Sequence, residues 1–293
     1  VGSNAAWTHP ILYQRMVAAK KQRPNMKIVV IDPRETATCD IADLHLAIKP
    51  GSDAAIFSFL LQHSAQAGIL DSGFISRHTN GFKETLSQAN ESTPTLSSAA
   101  RFCDINEKDL MQLASWWNET PKAVTFYSQG VNQSSSGVDK CNAIINCHLA
   151  TGRIGKEGTG PFSITGQPNA MGGREVGGLA NQLAAHMDFA TPGAQDLVQR
   201  FWQAPNMATE NGLKAVDLFQ AMEEGKVKVV WIMSTNPMVS LPDTAQVRRA
   251  LEKCELVIVS DCKAHTDTTA LADVLLPATG WSEKDGTVTN SER

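Results

Sequence analysis

Ile28-Val29-Val30-Ile31-Asp32, near the start of the chain, is answered near its end by Leu256-Val257-Ile258-Val259-Ser260-Asp261. Both are apolar, β-branched runs closing on an acid, the pattern of a parallel strand buried on both faces. Working outward, each run follows a helix-patterned stretch, and each of those stretches opens on a small polar turn. The turns read Gly2-Ser3-Asn4, leading to His9-Pro10, and Ser234-Thr235-Asn236-Pro237. From Asn to acid is 28 residues in the first copy and 25 in the second. Beyond each acid come a Thr-bearing loop, an Ala-Asp step at Asp43 or Asp273, and a Pro-containing turn. Two copies of one nucleotide-cradling unit imply either two dinucleotides or one large cofactor with two arms.

The segments between fit the same α/β class. Pro10 suits a first helical position, where its missing N–H is no loss. Leu12, Met16 and Ala19 then share a face, and Lys20-Lys21-Gln22 reads as a solvated last turn. Ser52 is placed to cap an apolar helix over 53–67 that Gly68 ends. Residues 71–104 show no sustained period and predict short helices and loops. Ala123–Tyr127 reads as a buried strand, 137–150 as a helix, and 213–224, 227–233, 243–253 and 256–260 as helix, strand, helix, strand. Between them, 151–180 holds nine of the 21 glycines, composition that seldom packs as regular structure and suits a loop around a ligand.

Composition excludes several classes. The 293 residues carry a formal charge of −4, which gives no electrostatic case for nucleic acid or an anionic membrane surface. No run reaches the roughly 18 apolar residues of a membrane helix. No basic-then-apolar leader opens the chain, so a cytoplasmic protein is expected. The six cysteines form no Cys-x-x-Cys pair and no zinc or iron–sulfur spacing, so no metal ligation is assigned to this segment. Val1-Gly2 reads as the end of a strand and Ser291-Glu292-Arg293 closes no element, so a fragment of a larger protein is expected.

The chemistry-bearing positions follow from the repeat. Small residues at Gly2-Ser3-Asn4 let backbone N–H groups approach a diphosphate, and a following helix start favours negative charge. Such turns are also common loops; the matching positions of Asn4 and Asn236 are what argue for a site. Asp32 and Asp261 stand where a ribose or base edge is commonly held, although each could be an ordinary turn aspartate. Arg34 and Thr36 could hold a phosphate or cap a turn. Asp53 could start a helix or pair with a guanine edge. No G-x-G-x-x-G fingerprint is present, which disfavours plain NAD or FAD. In the glycine-rich loop, Gln167 and Asn169 can meet a heterocycle edge, and Arg174 can either orient a small anion or pair with Glu175.

A family resemblance enters on longer runs. Val131–Gly137, Asn142–Gly152 and the 165–178 loop resemble the assimilatory nitrate reductases among the molybdopterin oxidoreductases that carry two molybdopterin guanine dinucleotides on one molybdenum. Ile31–Thr36, Ala42–Leu44, Lys49–Asp53 and Ala272–Pro277 resemble general motifs of that wider family, and the similarity spans the chain. The resemblance implies two Rossmann-like domains related by a pseudo-twofold, the first over 1–164 and a second, incomplete one over 165–293. It implies that Gly2, Ser3, Asn4, His9, Asp32, Arg34, Thr36, Gly51, Ser52 and Asp53 hold one cofactor arm. Asn236, Ser260, Asp261 and Lys284 would hold the other, with Gln167 near a pterin. Arg174 would face the nitrate, and Thr165 stands where formate-oxidising relatives carry a catalytic arginine. The family's [4Fe–4S] centre and molybdenum-ligating cysteine would lie outside this chain, and an electron-donor protein or reductase subunit would be a partner. Two other readings stay open: another bis-molybdopterin oxidoreductase, or a metal-free scaffold subunit of the same fold.

Overall fold

The computed structural model describes residues 1–167 and 169–289. It is a mixed α/β structure with short parallel sheets, and the chain divides into two compact units, Val1–Gly166 and Gln167–Arg293.

In the first unit, β1 (Val29–Ile31) pairs in parallel with β2 (Leu44–Leu46), setting Val29 opposite Leu44 and Ile31 opposite Leu46. A second parallel pair joins β3 (Val124–Tyr127) to β4 (Gly160–Ser163). Val1 and Gly2 stitch the pairs together. The Gly2 N–H donates to the Ile31 carbonyl at 3.0 Å, the Val1 nitrogen donates to the Phe126 carbonyl at 2.7 Å, and the Ser128 N–H donates to the Val1 carbonyl at 3.3 Å. The order across the unit is therefore β2, β1, Val1–Gly2, β3, β4. The chain runs from Val1–Gly2 out to β1 on one side and later returns to β3 on the other. Such a reversal of strand order opens a crevice beyond the strand ends, where open α/β sheets bind ligands.

Packing explains which helix sits at the centre. Asp53–Gln66 buries Ile56, Phe57, Phe59, Leu60 and Leu61 against Ile144 and Cys147 of Gly137–Ala150 and Leu110, Leu113 and Trp117 of Glu107–Glu119. A helix apolar on so many sides has to be interior. Each such side chain taken from water contributes roughly 1.5–3 kcal/mol. Two polar contacts are buried with it: the Lys140–Asp53 ion pair and the Thr125–His148 hydrogen bond.

Local readings were revised by tertiary partners. Lys20 is not a solvated end residue; its ammonium pairs with Asp43, whose Oδ2 accepts the Ile28 N–H at 2.8 Å. Ser52 precedes the helix, but its hydroxyl donates back to the Lys49 carbonyl and makes no cap bond. Residues 71–104, by contrast, hold the short helices expected of them, Ser72–His78, Phe82–Ser92 and Leu96–Cys103, the last opened by a Thr95/Ser98 capping box. The glycine-rich stretch contains both β4 and a helix, Ala170–Glu175. A strand edge supplies hydrogen bonds that need no side chain, so glycine composition did not prevent β4.

The second unit has one parallel sheet in the order β5 (Val229–Met233), β6 (Leu256–Asp261), β7 (Val274–Pro277). Val230, Ile232, Val257 and Val259 pack with Phe219 and Met222 of helix Ala215–Glu223 and Val247 and Leu251 of helix Thr244–Lys253. The alternate β5 residues Val229, Trp231 and Met233 are exposed. No helix among the described residues is long and apolar enough to cross a membrane.

Candidate cofactor-binding site

The crevice of the first unit is built around Gly2, whose φ of +52° lies in the left-handed region that favours glycine. Its backbone passes against Gly130: a Cβ on Gly130 would stand 2.8 Å from Gly2 Cα and 2.9 Å from Gly2 O. Both obstacles are backbone, so Gly130→Ala has to displace the turn and is expected to cost about 2 kcal/mol. Urea unfolding checks this; a loss below about 0.5 kcal/mol would show that the Gly2 turn and the Gly130 backbone move apart freely.

Past Gly2, Ser3 Oγ and Thr36 Oγ1 are buried with no hydrogen-bond partner. Buried hydroxyls are seldom left unmatched in a finished structure, so these two atoms ask for a polar ligand. Asp32 Oδ1 accepts the Arg34 N–H at 2.9 Å, which curls the chain back at the strand end. Thr38 donates to Asn4 Oδ1 at 3.0 Å and accepts the Ala6 N–H at 3.1 Å. His9 Nε2 lies 3.4 Å from the Thr165 carbonyl, bringing those two positions together.

Within the second unit the same bonds recur. Ser234, with φ +57°, donates its N–H to the Ser260 carbonyl at 2.9 Å, as Gly2 does to Ile31. Asp261 Oδ1 accepts the Lys263 N–H at 2.9 Å. Thr268 donates to Asn236 Oδ1 at 2.6 Å and accepts the Met238 N–H at 3.2 Å. Asp273 Oδ2 accepts the Val257 N–H at 2.7 Å, the counterpart of Asp43 on Ile28. Trp231 donates from Nε1 to Ser260 Oγ at 2.9 Å, leaving the serine proton available to a ligand.

Among the described residues, the other expected residues make no hydrogen bond to these turns. Gly51 is exposed with φ +93°, Ser52 is buried, and Asp53 is committed to Lys140 at 2.7 Å. Gln167 and Arg174 are exposed. Arg174 closes the short helix Ala170–Glu175, while Glu175 accepts from Thr289 Oγ1. Lys284 is exposed over the Trp281 ring. A cavity of about 660 Å³ in the first unit, bordered by Phe57, Leu61, Gln88 and Asn146, includes none of the expected residues in its wall.

Thr38, Thr268, Gly130, Trp231 and Lys140 were missed by the sequence reading. A signal existed for the threonines alone, since a Thr-bearing loop follows each strand acid.

Polar turns at parallel strand ends, with acids beside them and unmatched hydroxyls in the first unit, stand where open α/β sheets bind ligands. A family model described as "Molybdopterin oxidoreductase" matches residues 1–293, and the chain belongs to that family. Nitrate reductase of Klebsiella oxytoca is 53% identical over 293 residues, all of this chain and 33% of that protein. Nitrate reductase of Shewanella frigidimarina is 52% identical, with 31% of its length covered. The alpha subunit of an F420-dependent formate dehydrogenase from Methanocaldococcus jannaschii is 34% identical, with 42% covered. The chain thus spans about a third of the length of these two nitrate reductases. Among solved structures, acetylene hydratase from Pelobacter acetylenicus shares the fold, with TM-score 0.66 at 18% identity, over 93% of this chain and 39% of that one.

Proposed function

We propose that the chain is the central cofactor-binding segment of a molybdenum-dependent nitrate reductase, which converts nitrate to nitrite by a two-electron oxygen-atom transfer. The observation that carries the reading is the doubled turn, with buried Ser3 and Thr36 hydroxyls left for a ligand. The two nitrate reductase relatives supply the substrate. In this reading the two units are pseudo-twofold copies, divided near residue 165, and each holds one guanine dinucleotide arm of a bis-molybdopterin cofactor.

When bound, the molybdenum centre supplies the redox chemistry. The chain supplies binding and orientation. Gly2, Ser3 and Asn4 face one diphosphate with Arg34 and Thr36, and His9 stands beside them. Asp32 takes the ribose or base edge, and the Gly51-Ser52-Asp53 turn borders the guanine, with the Asp53 carboxylate held by Lys140. Asn236, Ser260, Asp261 and Lys284 do the same for the second arm, with Gln167 at a pterin and Thr165 in place of a formate-type arginine. The [4Fe–4S] centre, the electron-donor partner and a cytoplasmic setting belong to the same proposal for the whole protein.

Arg174 faces the nitrate charge. Arg174→Ala in the intact enzyme is expected to raise KM for nitrate about tenfold, the size of one lost charged hydrogen bond, with a smaller change in kcat. Unchanged KM would remove Arg174 from the substrate path. Molybdenum and guanine nucleotide content of the intact protein test the wider reading. Their absence would favour a metal-free scaffold of the same fold, and turnover of another oxyanion in preference to nitrate would favour a sister oxidoreductase.

A further inference from the structure

A buried threonine hydroxyl that already accepts a backbone N–H still needs an acceptor for its one proton, and an amide that serves as that acceptor turns its oxygen toward the hydroxyl. Thr38 Oγ1 accepts the Ala6 N–H at 3.1 Å, and its own proton goes to Asn4 Oδ1 at 3.0 Å. Thr268 Oγ1 accepts the Met238 N–H at 3.2 Å, and its proton goes to Asn236 Oδ1 at 2.6 Å. Both threonines are buried, so water does not compete for that proton. In each copy the amide oxygen is therefore turned toward the threonine, and the NH2 edge faces the other way.

We propose that Thr38 and Thr268 are matched positioning residues that lock the amides of Asn4 and Asn236 with their NH2 edges toward the anionic diphosphates. This rests on the cofactor reading above and deepens it. An unlocked asparagine can present either edge, and its oxygen would repel a phosphate that its NH2 attracts. The surroundings differ: Ala37-Thr38 precedes Cys39 in one loop, Asp267-Thr268 precedes Thr269 in the other, and the N–H donors belong to Ala6 and Met238. What the two turns share is the hydroxyl bridge from the asparagine oxygen to the N–H two residues on. That common element is the one that sets the amide.

The test uses the intact, cofactor-loaded protein and measures guanine nucleotide retained per chain after prolonged dialysis, with thermal unfolding of the stripped protein as a second readout. Thr38→Val and Thr268→Val are expected to lower retention about tenfold, and Thr38→Ser and Thr268→Ser to stay within about twofold of the unaltered protein. Asn4→Asp keeps an oxygen on Thr38 but replaces the NH2, so it should lose cofactor while the stripped protein melts unchanged. If the valine variants retain cofactor while Asn4→Asp does not, the lock is overturned and the cofactor site stands. If the serine variants fall as far as the valine ones, the hydroxyl is not the cause and the lock is again overturned. If Asn4→Asp and the valine variants all retain cofactor, the site reading itself falls, and this inference with it.

Discussion

Replacing Lys140 with methionine is expected to destabilise the first unit by about 3–5 kcal/mol, the largest stability effect of any single change considered for this chain. The Lys140 ammonium lies 2.7 Å from Asp53 Oδ2, with the two side chains 4% and 7% exposed. Removing the cation strands a carboxylate in the interior, at the first turn of the apolar helix Asp53–Gln66. The helix N-terminus offsets only part of that, since its favourable partial charge contributes about 0.3–2 kcal/mol. Neutralising both partners, as Asp53→Asn with Lys140→Met, should recover most of the loss, because the stranded charge is gone. Urea unfolding of the two variants measures this directly. If Lys140→Met alone stays within about 1 kcal/mol of the unaltered protein, Asp53 has found another partner or water, and the pair is not isolated.

Mild acid should weaken the same unit by about 3 kcal/mol through one side chain, His148. Burial depresses its imidazole from 6.5 to about 4, against a backbone hydrogen bond at Arg153 that raises it and with the smaller help of the Arg153 guanidinium charge. Thr125 Oγ1 lies 2.8 Å from Nε2, and the Trp117 ring meets the imidazole edge-on at 5.0 Å between centroids. The sign follows from the direction of the shift. Above about pH 6.5 both folded and unfolded forms are neutral, and the contribution is fully present. As pH falls from 6.5 toward 4, the unfolded chain takes up a proton that the folded chain refuses, and the contribution is lost. Asp43 does not blur this window: although burial opposes its charge, Lys20 and the Ile28 N–H hold its carboxyl below 3.8. Denaturant midpoints taken through that window should fall in the unaltered protein and flatten in His148→Gln. An equal slope in both would assign the acid sensitivity elsewhere.

How far the sequence could be read depends on the range of the interactions. The strand runs closing on Asp32 and Asp261 were readable because a buried parallel strand writes itself as consecutive β-branched residues. The helices 137–150 and 243–253 were readable from local period, and the observed Gly137–Ala150 and Thr244–Lys253 fall on them. Candidate turns were readable only by comparing two parts of the chain, since Gly-Ser-Asn alone means little. The Lys140–Asp53 pair and the Arg153–Trp117–His148 packing were invisible, because each joins residues brought together by the fold alone. Lys20 misled for the same reason: a lysine at a helix end is normally in water, and Asp43 was not in view. Ser52 looked like a cap from its position, yet a closer acceptor, the Lys49 carbonyl, took its proton.

Each turn closes its ring of bonds inside its own unit, Asn4 with Thr38 and Asn236 with Thr268. The two turns can accordingly change independently under selection, one tightening while its twin slackens, and a designer could loosen either ring without altering the other's bonds.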